Sequence, residues 1–427
     1  MAMNMAMVMA EMIARQSPPE AMWQRALARR STREWGIRGA LALLAAAIGY
    51  VSVINSLAEV IKRRDPFHAH RMAPENGQIT ALLAANRMLN DRAPRDQGET
   101  TRLSLLALRQ DPTAIQAVAT LGLQAQIAND IPAARRLFAY SQRLSRRHLQ
   151  TQLWAIEDSV ARGDVSGTLR HYDIALRTSK TAPVLLFPPL YNAIVDPAVR
   201  TALARTLAGR PGWGAQFMDY LVKNKGNSTA TASLLVQLHH AGLALPSEAV
   251  ATAVDGLLAD QDFEAAWRFY ASVRPGVSRL QSRDPRFSWD LATPSAFDWT
   301  PSNDAVINAS IQREGDHGLF EFANPPSVGG PVLKQLQMLP AGEYRLEGHG
   351  TGIDQPDQSL PYWLLTCRDG RELGRVVLAN LAQTGGRFSG RLNVPANCLV
   401  QTLALVAPAS DGAAGNAGQI DWVRLFR

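Results

Sequence analysis

The chain has 427 residues, a formal net charge of +7 and 46% hydrophobic residues, which leaves room for two or three domains and excludes a disordered polyampholyte. The excess charge is uneven: residues 1–64 hold 9 basic and 4 acidic groups, residues 65–286 hold 25 and 19, and residues 287–427 hold 10 and 14. No single basic face emerges from that spread, so nucleic acid is not an expected partner.

Taken in chain order, the first 12 residues carry six methionines, and residues 20–33 form a basic segment with Trp23 and Leu27 suited to an anionic membrane surface. Residues 39–58 follow, 20 positions without a charge, bounded by Arg38 and Glu59. As a helix that run spans roughly 30 Å, the hydrocarbon thickness of a bilayer. It ends in Lys62-Arg63-Arg64 rather than at small residues, which reads as an uncleaved anchor and not a signal peptide. Six basic residues before it against four after it (Lys62, Arg63, Arg64, Arg71) place the N-terminus in the cytoplasm. The expected organisation is a cytoplasmic basic segment over 1–34, a transmembrane helix over 35–61, an α-helical domain over 65–275 and a β-sandwich over 286–427. The body would then lie in the periplasm, with the anchor in a bacterial inner membrane.

Between 77 and 273 the apolar spacing is helical, with almost no period-2 alternation. Twelve helices are predicted, near 77–90, 99–109, 113–127, 131–144, 149–162, 166–177, 187–193, 197–208, 212–223, 228–241, 247–258 and 263–272. Short helices with tight loops predict stacked antiparallel hairpins. Asn129-Asp130 recurs as Gly163-Asp164 after 34 residues, and Phe138 recurs as Tyr172 at the same offset. The prolines of Leu185-Leu-Phe-Pro188-Pro189-Leu-Tyr-Asn-Ala-Ile194 break the pattern. After Arg274-Pro275-Gly276 the composition turns to short β-like runs split by Gly, Pro, Asn and Asp. Nine strands are predicted: Val306–Ile311, Leu319–Phe322, Val332–Leu336, Gly342–Gly348, Tyr362–Cys367, Gly374–Leu378, Gly386–Val394, Val400–Val406 and Ile420–Phe426. Their spacing favours an antiparallel sandwich.

Two resemblances follow from these residues. The stretch Asp111-Pro112 to Ala125, with Leu121-Gly122, then Ala133-Ala134 and Phe138, resembles the tetratricopeptide repeat, over about 107–178. The second copy, with Trp154 and Gly163-Asp164, lacks the Leu-Gly pair. Stacked repeats of that kind leave a concave groove, so the resemblance implies a protein partner at the hairpins. The sequences Leu339-Pro-Ala-Gly342-Glu-Tyr344, Phe297-Asp-Trp299 and Ile420-Asp421-Trp422-Val423-Arg-Leu425 resemble carbohydrate-binding modules of jelly-roll, galactose-binding-like form. That resemblance implies fold first and polysaccharide binding second. Glycan-stacking candidates are Trp289, Tyr362 and Trp363, one of the adjacent pair being expected to face outward, whereas Trp299 and Trp422 occupy positions that fill the core. Such modules often hold a structural calcium, for which Asp290 or Asp421 could serve, but no metal-ligand cluster is evident.

The two cysteines, Cys367 and Cys398, form a candidate disulfide. Gly348-His-Gly-Thr-Gly352 reads as a flexible loop, His68-Ala-His70 as a polar linker and His239-His240 as a helix end. No nucleophile turn or phosphate loop is present, and no cofactor is implied. The whole order resembles envelope proteins that accompany exopolysaccharide machinery in proteobacteria. The expected function is therefore a non-enzymatic membrane-anchored scaffold. The alternative is a polysaccharide hydrolase or lyase with the sandwich as accessory. Deleting residues 39–58 is expected to move the chain from the membrane pellet to the supernatant after ultracentrifugation without detergent, and an immunoblot of both fractions checks it.

Overall fold

A computed structural model describes residues 32–427 except 91–96, 225, 303, 316, 381–384 and 411–414. Most of the basic segment expected over 20–33 therefore lies outside the described residues. Two compact units are present, one ending at Thr151 and one beginning at Gln152.

In the first unit, α1 (Thr32–Ile61) is one helix of 30 residues, about 45 Å long at the α-helical rise. It is long and apolar enough to cross a membrane. Leu43, Ile48 and Val53 stand exposed, while Ala58 packs with Ala69, Ala73 and Ile79. Asn55, its most polar central residue, donates to the Val51 carbonyl at 2.9 Å and so is satisfied within the helix. The segment read as a polar linker is instead a short helix, α2 (Pro66–Met72). Asp65 caps it by accepting from the His68 N–H, and Pro66 supplies the preset first turn. Two hairpins follow: α3 (Gly77–Asn90) with α4 (Gln97–Gln110), and α5 (Ile115–Ile127) with α6 (Ile131–Leu144). Gly122 lets the second pair close, because a Cβ there would lie 2.7 Å from the Phe138 ring.

The helix α7 (Leu149–Ala161) carries the chain into the second unit, followed by α8 (Val165–Thr178), α9 (Ala182–Ala193), α10 (Pro197–Ala208), α11 (Gly214–Lys223), α12 (Ser228–His240), α13 (Ser247–Ala259) and α14 (Phe263–Val273). One turn device recurs through the stack. Asn129, Gly163 and Gln261 take positive φ of 59°, 68° and 63°. Each is followed by an Asp whose N–H donates five residues back, to Ala125, Ser159 and Leu257, at 2.9 Å. The carboxylates of Asp130, Asp164 and Asp262 then accept from Ala133, Gly167 and Ala265. One residue pair thus closes the outgoing helix and caps the next. The prolines do not break α9: Pro188 and Pro189 lie inside it. Their missing N–H groups leave the carbonyls of Val184 and Leu185 without the usual helical donor, on a turn whose Val184 and Leu185 side chains are exposed.

Among the described residues the sandwich has ten strands: β1 (Thr300–Pro301), β2 (Asn308–Glu314), β3 (His317–Asn324), β4 (Gly330–Gln337), β5 (Gly342–Thr351), β6 (Tyr362–Cys367), β7 (Glu372–Val377), β8 (Arg387–Val394), β9 (Gln401–Ala407) and β10 (Asn416–Phe426). The first sheet has order β1-β4-β9-β6-β7 and the second β2-β3-β10-β5-β8, with antiparallel pairing throughout. Phe320, Phe322, Tyr344, Leu346, Trp363, Leu365, Leu403, Leu405, Ile420 and Val423 fill the space between them. Chain and fold class agree: a helix fit to span a membrane, an all-α hairpin stack and a C-terminal jelly-roll sandwich.

Within the second unit a buried arginine joins the last helix to the sandwich. The Arg283 guanidinium donates to the Phe297 carbonyl at 2.9 and 3.1 Å, to Gln337 Oε1 at 2.9 Å and to the Leu336 carbonyl. It also lies 5.5 Å from the Trp267 ring centre on α14. Beside it Tyr270 of α14 donates to Asp298 Oδ1 at 2.7 Å, and Asp298 accepts from the Ser295 N–H and hydroxyl. Burial lowers the Arg283 pKa to about 10, and burial with the Asp298 charge raises the Tyr270 phenol far above its ordinary range. Replacing Arg283 by Met leaves two buried carbonyls without donors. Arg283→Met is expected to cost about 3–5 kcal/mol in urea unfolding, against about 0–1 kcal/mol for the exposed Arg375→Met.

Candidate functional site

The three aromatic residues singled out for sugar stacking do not converge. Trp363 is fully buried, with its ring 5.7 Å from Trp299 in the core, and so is removed as a contact residue. The alternation along β6 turns Trp363 inward and leaves Tyr362 half-buried on the outer face of the first sheet. There the Arg375 guanidinium covers the Tyr362 ring at 4.0 Å. Trp289 sits in the connection before β1, half-buried, with Arg274 5.8 Å from its ring. It lines a cavity of ≈170 Å³ with Asp284, Leu291, Pro294 and Arg313. Cys367 and Cys398 are joined by a disulfide with Cα atoms 5.8 Å apart, tying the end of β6 to the turn before β9.

The outer face of the second sheet collects more chemistry. Its inward positions are apolar, so each strand's alternate residues share the opposite face. Gln419 of β10 lies opposite Glu321 of β3 and Thr351 of β5, and Glu321 lies opposite Ser310 of β2. Three of these side chains are linked: Gln419 Nε2 donates to Glu321 Oε1 at 2.6 Å, and the Thr351 hydroxyl donates to Gln419 Oε1 at 3.2 Å. Ser310, Glu321 and Gln419 line a depression of ≈430 Å³ with Asn308, Ala323, Ala417 and Gly352.

A β-bulge changes the next row. The β10 register shifts between Ile420 and Trp422, so Ile420 and Val423 both point inward and Trp422 lies on the outer face, half-buried. Trp422 faces His349 of β5, which faces Arg387 of β8. The bulged Asp421 reaches across, its Oδ2 2.5 Å from His349 Nδ1. His349 belongs to the segment read as a flexible loop, which is instead the end of β5. Glycine is required there because a Cβ on Gly348 would lie 2.1 Å from the Phe388 ring and 2.7 Å from the Trp422 carbonyl. Trp422 and His349 are thus the residues missed from the sequence. Period-2 reading across the bulge places Trp422 in the core, and the Gly spacing hides the strand. Asp290 is almost wholly exposed and Asp421 is engaged by His349, and among the described residues no group of three or more His, Cys, Asp or Glu side chains could hold a metal.

A row of planar amide and carboxylate groups held by mutual hydrogen bonds, next to an indole, offers fixed donors and acceptors beside an apolar surface. That combination suits a polyol ring with one hydroxylated edge and one C–H face. A different surface lies among the helices: Leu207, Met218, Leu238, Leu243 and Leu245 line an apolar groove of ≈520 Å³ around α10, α11 and α12.

No family model matches the chain, and no curated protein sequence matches it. Solved structures resemble parts of it. The enzymatically active domain of tailspike protein 4 from bacteriophage CBA120 is 10% identical with a TM-score of 0.25, over 35% of this chain and only 22% of that one. The C-terminal CBM6 module of LamC, a marine laminarinase from Zobellia galactanivorans, is 16% identical with a TM-score of 0.20, over 30% of this chain and 98% of the module. PilW, a type IV pilus biogenesis factor, is 16% identical with a TM-score of 0.26, over 46% of this chain and 91% of that one. At these TM-scores the likenesses carry neither a fold nor an activity to this chain.

The two tryptophans separate core from surface. Trp363→Ala is expected to destabilise by about 3–5 kcal/mol and Trp422→Ala by about 1 kcal/mol or less, read from chemical denaturation followed by circular dichroism.

Proposed function

We propose that the protein is a membrane-anchored, non-enzymatic scaffold of the cell envelope whose sandwich binds a glycan on the outer face of the second sheet. The observation that carries the reading is the placement of Trp422 beside the hydrogen-bonded row Glu321, Gln419 and Thr351, with Ser310 opposite Glu321. The indole would lie against the C–H face of a sugar ring, and the row would take its hydroxyls. The apolar surface of α1 supports the anchor, since exposed side chains all along such a helix need a lipid or protein cover. The Cys367–Cys398 bridge supports an oxidising compartment for the body, which agrees with a periplasmic sandwich and a cytoplasmic N-terminus. The groove at Leu207, Met218 and Leu238 supports docking of a protein partner on the helices. A role in exopolysaccharide synthesis or export brings these parts together.

The test uses the full chain in nanodiscs and a panel of purified polysaccharides. Wild type is expected to be retained by at least one polymer without releasing reducing ends, and Trp422→Ala is expected to lose about tenfold in affinity, or ~1.4 kcal/mol. Release of reducing ends would assign the face to a polysaccharide-cleaving enzyme instead, with His349 and Asp421 as the first residues to replace.

A further inference from the structure

Resting on that reading, we infer that the glycan is anionic, bearing carboxylate or sulfate groups, and that its charges meet the arginines of β5, β8 and β10. The sandwich segment is acidic overall, 14 acidic against 10 basic residues over 287–427. Five of those ten, Arg345, Arg387, Arg391, Arg424 and Arg427, nevertheless sit on or beside one face of one sheet. The registers are explicit. Arg345 of β5 lies directly opposite Arg391 of β8 and Phe426 of β10, Glu347 lies opposite Ser389 and Arg424, and His349 lies opposite Arg387 and Trp422.

Like charges directly opposite each other destabilise a sheet unless something compensates them. Arg345 is compensated by Glu347 at 2.6 Å. Arg424 lies on the Phe426 ring at 4.0 Å, a contact that fixes its stem without neutralising it. Arg387, Arg391 and Arg427 form no ion pair among the described residues and are exposed. Arg345, Arg391 and Arg427 border a depression of ≈480 Å³ with Glu343 and Ser389. From Arg387 to Arg391 the strand advances ~14 Å, so the guanidinium groups are spread along a line rather than gathered at one point. Each presents a planar donor fork that suits a carboxylate or sulfate.

The spacing separates the candidates. A single phosphate would use one guanidinium pair and leave the others idle. A membrane surface or a nucleic-acid duplex would meet the acidic remainder of the sandwich as well as this face. A linear polyanion crossing β10, β5 and β8 meets five arginines against Glu343 and Glu347, the latter already paired with Arg345, and its neutral part reaches Trp422 and the amide row.

The test measures binding of the full chain in nanodiscs to polygalacturonate and to dextran sulfate. Their neutral counterparts are fully methyl-esterified polygalacturonate and plain dextran. At 50 mM salt at least one charged polymer is expected to bind tenfold or more tightly than its counterpart, with that advantage gone at 500 mM. The double variant Arg387→Gln/Arg391→Gln, with an unchanged melting temperature, is expected to remove the advantage and leave neutral-polymer binding as it was. Equal binding of charged and neutral polymers would overturn the anionic inference while the glycan reading stands. Binding of none of the four, with no effect of Trp422→Ala on any further polysaccharide, would overturn both. Equally tight binding to vesicles of anionic lipid, lost in the same double variant, would overturn it in favour of a lipid surface.

Discussion

The structure of the second unit depends on one buried cation. Arg283 satisfies the carbonyls of Phe297 and Leu336 and the amide of Gln337 while lying against the ring of Trp267. Those groups belong to the last helix, the connection after it and strand β4, so one side chain closes a junction that loops alone would leave loose. An isolated charge at that depth would be very costly, and the guanidinium is tolerated because its donors have acceptors already fixed by the sheet. Tyr270 and Asp298 add a second bond across the same seam. The sandwich is therefore held against α14 as one body, and a load on the sheet face passes into the helices.

The same sandwich shows how an outer face becomes distinct from a core. Strict alternation would place every second residue of β10 inside. The bulge at Asp421 adds one residue, so the inward series Asn416, Gly418, Ile420 resumes at Val423 and Leu425. Trp422 is thereby delivered to the surface next to His349 without disturbing the packing on either side. The neighbouring glycine, Gly348, makes the room: Phe388 and the β10 backbone occupy the space a side chain would take.

Much of the architecture was legible in the sequence, for local physical reasons. The helices between 77 and 273 announce themselves by 3.6-residue spacing, and all nine expected strands occur, because one face of each must be apolar. The third copy of the helix-turn device was hidden, since Gln261 rather than Gly or Asn takes the left-handed conformation there. The helix expected over 187–193, with Pro188 and Pro189 inside it, is present but begins earlier, at Ala182, where Pro183 fits the first turn. At the sheet face, neither the bulge nor the cross-strand partners of Arg345 and Gln419 leave a mark in the linear order of residues. Trp422, read as core, is therefore presented, and of the adjacent Tyr362-Trp363 pair it is the tryptophan that is buried.

On the proposed reading, with the body tethered to a membrane and its sheet face binding a glycan, the face need not bind tightly to be effective. A single site made of one indole, one amide row and a few arginines forms weak, exchangeable contacts, partly screened by salt. Many copies fastened in one membrane convert such contacts into a multivalent grip on a long polymer, because after the first engagement the next is intramolecular. Each copy can release and rebind as the chain moves, which suits handling a polymer in transit better than storing it. On that reading Arg387 and Arg391 would engage at a distance through charge, while Trp422 and Gln419 would act only on contact. Long-range attraction then sets how often the polymer is met, and the short-range row sets which polymer stays.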